Sequence, residues 1–127
     1  MEIVPYNGTT LAFIGDAVMT LKVREMLVAQ GYQKPNDLQT MTSHWVSAKA
    51  QAYYLTCLME KDFFDEEDLV IIKRGRNAQT HSIAKNADVV TYRLATGLEA
   101  LFGYYHLSNK VSKTEKLWNE IVTLGAK

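Results

Sequence analysis

Residues 9–31 read TTLAFIGDAVMTLKVREMLVAQG, a stretch long enough for several turns of helix. Its leucine, isoleucine, valine and methionine residues recur at near-helical spacing, which predicts a helix with one apolar face. Thr9 or Thr10 is a suitable N-cap, and Gly31 is well placed to end the helix after Gln30. We therefore expect the fold to begin with a long amphipathic helix.

The rest of the chain divides into further helix-length segments, without the short alternating runs that predict a sheet. Serine, threonine and aspartate residues supply N-caps at the expected boundaries. The predicted elements are a short helix over 38–41, a longer helix over 45–60 capped by Ser43, a helix from an Asp65/Asp68 capping box toward Asn77, a loop over 79–87, a helix capped by Asp88, and a last helix capped by Ser112 or Thr114. We predict an all-α fold: a single helical bundle domain over residues 1–127.

Composition narrows the class of protein. The chain has 127 residues, of which 47% are hydrophobic, so it can bury a core without disulfides or a structural metal. Its single cysteine, Cys57, cannot form an internal disulfide, and no Cys/His cluster has zinc-ligand spacing, which favours a reducing cytoplasm. The sequence shows neither a signal peptide at residues 1–5 nor a run of about 18 apolar residues. We therefore expect a cytoplasmic protein without a membrane segment.

A local basic patch stands out against a formal net charge of zero, with 14 basic and 14 acidic residues. The zero net charge argues against nonspecific coating of nucleic acid. The patch nevertheless combines arginine forks, a glycine and small polar side chains, which suit the sugar–phosphate backbone of a nucleic acid. The alternative is a solvated helix end whose cations interact with the helix dipole. The candidate RNA-binding residues are Lys73, Arg74, Arg76, Asn77, Lys85, Asn86 and Arg93.

Two acids lie in segments that are otherwise almost apolar: Asp16 in LAFIGDAVM (11–19) and Glu99 in LATGLEALFG (94–103). An ionised carboxylate away from water is costly unless it is paired or bound to a cation. If their helices pack together, the two acids could share a hard divalent cation such as Mg²⁺. The alternatives are that Gly15 breaks the helix and Asp16 caps a second helical segment, that Asp16 reaches water from a helix edge, or that Glu99 is solvated at a helix boundary.

The sequence gives little support for a histidine metal site, a nucleotide-binding loop or a catalytic nucleophile. The three histidines are scattered, and no P-loop or nucleophile-elbow motif is present. Cys57 is expected to be a core thiol. The Tyr53–Tyr54 and Tyr104–Tyr105 pairs are expected to be helix residues with one ring of each pair turned inward.

The two acidic segments resemble the metal-binding segments of the ribonuclease III family, and they occur in the same order. LAFIGDAV at residues 11–18 is similar to the signature E-R-L-E-F-L-G-D-A-V, and LEALFGY at 98–104 is similar to D-x-x-E-A-L-I-G-A. Five further segments resemble a compact branch of the family: PNDL (35–38), VSAK (46–49), KRGRNA (73–78), AKNADV (84–89) and TYR (91–93). The resemblance spans about residues 10–103.

This resemblance implies an all-helical endonuclease domain that hydrolyses double-stranded RNA with Mg²⁺. It also implies a homodimer whose interface forms the RNA groove, and a role in maturing the ends of the large-subunit ribosomal RNA precursor. A ribosomal protein that presents the substrate is a further candidate partner. The compact branch lacks the separate double-stranded-RNA-binding domain, which the length of this chain matches.

Carried over by position, Asp16 and Glu99 match two of the family's catalytic, metal-binding acids. The other acidic positions of the motifs are Thr9, Ala12 and Thr96 here, so the ligand set is reduced. A non-catalytic homologue that binds double-stranded RNA is therefore the first alternative. A helical protein-interaction domain, in which both acids are structural, is the second.

Overall fold

The computed structural model describes residues 5–78 and 88–125, and within them the fold is all helical, as predicted. The predicted loop over 79–87 lies outside the described residues. The six helices are α1 (Gly8–Ala29), α2 (Pro35–Val46), α3 (Ala48–Glu60), α4 (Glu66–Arg76), α5 (Val89–Leu107) and α6 (Val111–Leu124).

Two predicted helix starts are confirmed. Asp65 accepts a hydrogen bond from the Asp68 backbone N–H at 2.8 Å, and the Asp68 side chain accepts one from the Asp65 N–H, so the capping box at α4 is complete. Asp88 caps α5 by accepting from the Val90 N–H. Gly31 follows α1 with φ of 98°, a left-handed conformation that suits glycine at a helix end.

Other predicted boundaries were wrong. Helix α1 is capped by Asn7, whose side chain accepts from the Thr10 N–H, instead of by Thr9 or Thr10. The predicted short helix over 38–41 is the middle of the 12-residue helix α2, which begins at Pro35, a residue favoured in a first helical turn.

The start of the next helix was misplaced by one turn. Ser43 lies inside α2 and caps nothing, whereas Ser47 accepts from the Ala50 N–H and begins α3. At the other end of the chain, α6 begins at Val111, so neither Ser112 nor Thr114 is its cap; Thr114 instead donates its hydroxyl hydrogen to the Lys110 carbonyl. Each of these residues has the chemistry of a cap, and packing decides which is used.

Helix α5 is the centre of the bundle, and α1, α3, α4 and α6 all contact it. Tyr104 and Tyr105 are both fully buried on α5, so the expectation of one inward ring per pair is wrong here, although Tyr54 is buried and Tyr53 only partly so, as expected. The Tyr105 hydroxyl donates to the buried Asp68 carboxylate at 2.6 Å, which ties α5 to α4. None of the helices within 5–78 and 88–125 has the length and apolar character needed to span a membrane.

Candidate active site

The carboxylates of Asp16 on α1 and Glu99 on α5 open into the same cleft, which has a volume of about 370 Å³. Helix α1 runs unbroken through Gly15, so the interpretation of Asp16 as a cap after a helix break is wrong. Glu99 lies in the interior of α5 and is partly buried, so it is not solvated at a helix boundary. The residues lining the cleft are Thr9, Ala12, Phe13, Asp16, Tyr92, Thr96 and Glu99.

Two glycines bring the acids together by letting α1 and α5 touch backbone to backbone. A Cβ atom on Gly15 would lie 1.6 Å from the Glu99 carbonyl oxygen, and one on Gly103 would lie 1.9 Å from the Leu11 carbonyl oxygen. Only glycine permits so close an approach. Because Asp16 follows Gly15 directly, this crossing sets the Asp16 side chain beside Glu99.

Asp16 and Glu99 lie in different electrostatic environments. Burial raises the pKa of Glu99 to about 8, and the hydrogen-bonding and negatively charged Asp16 carboxyl beside it contributes to this rise from the usual 4.5. Asp16 itself is exposed. The desolvation cost expected for both acids therefore falls on Glu99, and Asp16 does reach water from the helix edge, as one alternative held.

The cleft suits a hard divalent cation. Its two carboxylates offer oxygen atoms, which Mg²⁺ prefers as ligands. A cation there would favour the ionised form of Glu99, which burial and the neighbouring Asp16 disfavour by raising its pKa. Over residues 5–78 and 88–125 there is no group of three or more His, Cys, Asp or Glu side chains arranged to hold a metal. A cation bound in this cleft would have Asp16 and Glu99 as its candidate protein ligands, and Mg²⁺ allows water to complete the coordination.

Sequence analysis missed Gln51, which contacts Glu99 from α3. Its side-chain N–H group donates to the Glu99 Oε2 at 3.4 Å and to the Val46 carbonyl at 2.8 Å. The only sequence signal is a glutamine between Ala50 and Ala52 on the apolar side of a predicted helix, where a long polar side chain needs a partner.

The described residues of the basic patch lie at the end of α4 and the start of α5. Arg74 and Asn77 line a second hollow that shares Thr9 with the acidic cleft. Arg74 is partly buried and donates to the Tyr6 carbonyl at 3.0 Å, so it also holds the segment before α1. Lys73, Arg76 and Arg93 are exposed and line neither hollow. Lys85 and Asn86 lie outside the described residues.

Comparison with known proteins agrees with this geometry. The model of the ribonuclease III domain matches residues 9–110. The crystal structure of protein FN1578 from Fusobacterium nucleatum has the same fold, with a TM-score of 0.81 and 33% sequence identity over 95% of each chain. The chain therefore belongs to the ribonuclease III family, and it is an endoribonuclease.

Its relatives place it within that family. Mini-ribonuclease 3 of Enterococcus faecalis is 49% identical over 89% of this chain and 86% of its own length. Mini-ribonuclease 3 of Staphylococcus aureus is 45% identical over 93% of this chain and 88% of its own length. The resemblance to the compact branch, inferred from short motifs, is thus confirmed over most of the chain.

Proposed function

We propose that this protein cleaves double-stranded RNA in a Mg²⁺-dependent reaction at the cleft that contains Asp16 and Glu99. The observation that carries the proposal is the convergence of these two acids, 83 positions apart in the sequence, on one cleft between α1 and α5. Family membership favours an enzyme over the non-catalytic RNA-binding alternative.

The different exposure of the two acids suggests different roles for them. Asp16 is exposed and presents its carboxylate to an entering substrate, whereas Glu99 is held deeper by the α1–α5 contact and by Gln51. Together they would hold Mg²⁺, which supplies a nucleophilic water at neutral pH and stabilises the leaving 3′-oxygen. Thr9, Ala12 and Thr96 line the same cleft at positions where the fuller family signature has acids. The cleft therefore carries less negative charge than the fuller signature would give it.

A panel of nucleic acids tests this function. We expect the purified protein to fragment a long RNA duplex with Mg²⁺ and not with a chelator, and to leave the single strand and the DNA duplex intact. Duplex binding without any product would favour the non-catalytic homologue. No binding of duplex RNA at low salt would favour the protein-interaction domain.

We propose that the basic patch holds the RNA backbone through Lys73, Arg74, Arg76, Asn77, Lys85, Asn86 and Arg93. Such contacts suit the wide minor groove and 2′-hydroxyl groups of A-form RNA. The hollow lined by Arg74 and Asn77 supports this proposal because it adjoins the acidic cleft at Thr9. A backbone bound there would continue toward the two acids.

A double variant, K73A with R76A, is expected to weaken duplex binding about tenfold or more at moderate salt. Each lost phosphate contact should also lower the slope of log affinity against log salt by roughly 0.7–0.9. Filter binding across a salt series measures both quantities. K116A removes an exposed cation on α6 and is the matched control. An unchanged slope in the double variant would show that these side chains do not contact RNA phosphates and only interact with the dipole at the end of α4.

We propose that the protein acts as a homodimer in which each subunit cuts one strand. The support is an exposed apolar stripe along α1, formed by Phe13, Leu21 and Val28, which are 77%, 58% and 62% exposed. Phe13 also lines the acidic cleft, so a two-fold contact along this stripe would set two clefts beside one interface. Sedimentation analysis at working concentration should show a dimer, and a monomer there would exclude the two-site arrangement.

We also propose that the natural substrate is the large-subunit ribosomal RNA precursor in the cytoplasm. The zero net charge implies modest intrinsic RNA affinity, which fits a structured ribonucleoprotein substrate presented by a ribosomal protein. Mapping the ends of this RNA in cells depleted of the protein tests the proposal. Normally matured ends would contradict it.

A further inference from the structure

Gln51 is a buried amide that reaches the candidate active site from outside the set of acids. It lies on α3 with 3% of its surface exposed. Its Nε2 atom is 2.8 Å from the Val46 carbonyl oxygen and 3.4 Å from the Glu99 Oε2. Both amide hydrogens are therefore directed at acceptors, one at the end of α2 and the other on α5.

The backbone fixes which end of the amide faces Glu99. The Val46 carbonyl can only accept a hydrogen bond, so it requires the N–H end of the Gln51 side chain. Rotating the amide by half a turn would set its oxygen against both that carbonyl and a carboxylate. The end of α2 thus orients Gln51, and Gln51 in turn offers a donor to Glu99.

Burying the Gln51 amide in the core is energetically unfavourable. Its other polar atom, Oε1, is buried and has no hydrogen-bond partner among the described residues. A buried acceptor without a partner destabilises a fold, and a methionine of similar length would avoid that cost. What glutamine provides here is a pair of donors, one for the Val46 carbonyl and one for Glu99, and only the second reaches the candidate active site.

We infer that Gln51 is a positioning residue, which holds the Glu99 carboxylate in one orientation beside Asp16 and so raises the affinity of the two acids for a divalent cation. This inference rests on the proposed function. Groups that hydrogen-bond a metal ligand commonly change metal affinity 10- to 100-fold when they are removed. Gln51 is suited to this role because it is neutral and adds no charge that would compete with the cation.

The experiment is a titration with Mn²⁺ and with Mg²⁺, read as the rise in melting temperature and, separately, as cleavage of an RNA duplex. In Q51M, the cation concentration that gives half of the thermal stabilisation should rise about tenfold or more. Cleavage at saturating cation should return to within a few-fold of the wild-type rate, because the acids themselves remain.

Y54F is the matched control for the lost backbone anchor. The Tyr54 hydroxyl donates to the Trp45 carbonyl at 2.9 Å, so it also secures the end of α2 from α3, but this hydrogen bond does not reach Glu99. We expect Y54F to lower the melting temperature without changing the cation midpoint. Q51N is the second variant if Q51M fails to fold; it withdraws the amide by one methylene and should give an intermediate midpoint.

The outcomes separate this inference from the proposed function. If the wild type responds to cation and cuts duplex RNA but Q51M has the same cation midpoint, the inference about Gln51 is wrong and the function stands. An equal shift of the cation midpoint in Y54F would also overturn it. The shift would then come from loosening the contact between the end of α2 and α3, and not from the loss of the hydrogen bond to Glu99. If the wild type shows neither cation response nor cleavage, both proposals fail.

Discussion

Replacing Gly15 by alanine is expected to abolish cleavage and to lower the melting temperature by about 10 °C or more. The added Cβ would lie 1.6 Å from the Glu99 carbonyl oxygen, 2.5 Å from its carbon and 2.9 Å from the Gly103 nitrogen. All three atoms are backbone, so no side-chain rotation can relieve the clash and α1 must move away from α5. Overpacking lowers the free energy of unfolding by about 1–3 kcal/mol and occasionally more. Because the contact at Gly15 is rigid, we expect a cost near the upper end of this range.

Gly97→Ala is the matched control for Gly15→Ala, since it adds the same methyl group to the neighbouring helix α5. Its Cβ would meet the Arg76 Cγ at 2.9 Å, which belongs to a flexible side chain, and the Ile72 carbonyl oxygen at 3.1 Å. A modest change is expected because alanine also favours helix by about 1 kcal/mol over glycine. Thermal unfolding and cleavage are measured for both variants. Wild-type behaviour of Gly15→Ala would contradict the backbone contact that brings the two acids together.

Glu99→Gln is expected to stabilise the metal-free protein at pH values above 8 by several kcal/mol, up to about 5 kcal/mol. The pKa of Glu99 is about 8 in the folded protein and 4.5 ordinarily, so between these values the folded state keeps a proton that the unfolded chain releases. The free energy of unfolding of the wild type therefore falls as pH rises from 4.5 to 8. Glutamine does not titrate, so the variant should lose this slope.

Denaturant unfolding from pH 4.5 to 9 in the presence of a chelator measures the effect of Glu99→Gln. The wild type and the variant should be close in stability near pH 4.5 and diverge above it. Adding Mg²⁺ at pH 8 should stabilise the wild type and not the variant. Glu25→Gln, which removes an exposed carboxylate on α1, is the control and should keep the wild-type slope. Parallel stability curves for Glu99→Gln and the wild type would contradict a buried acid at this site.

The acids were predictable from the sequence because each violates the apolar pattern around it. A carboxylate at position 16 or 99 is unexpected in its apolar segment, and two such residues point to one shared site. Exposure at the helix edge accounts for Asp16 locally, whereas Glu99 is partly buried. The glycines beside them are a weaker signal, since a glycine within a helix suggests a close approach without naming the partner. The partner of Gly15 is the Glu99 backbone, which only the packed structure shows.

The exact helix boundaries and the role of Gln51 could not be predicted from the sequence, because both depend on tertiary packing. Ser43 and Ser47 have equal capping chemistry and stand one turn apart, so local preference could not choose between them; the break after Val46 selects Ser47. The role of Gln51 depends on a carbonyl at the end of α2 and a carboxylate on α5, 48 positions away. No local pattern encodes such a tertiary contact.

If Asp16 and Glu99 form one catalytic metal site, neither acid can be replaced without loss of activity. Cleavage of an RNA duplex with Mg²⁺ by the wild type, Asp16→Asn and Glu99→Gln tests this. Both variants should bind the duplex with the wild-type salt dependence and cut it roughly a thousandfold more slowly or not at all, because several kcal/mol of transition-state stabilisation would be lost. Cleavage by either variant at close to the wild-type rate would contradict a shared catalytic site.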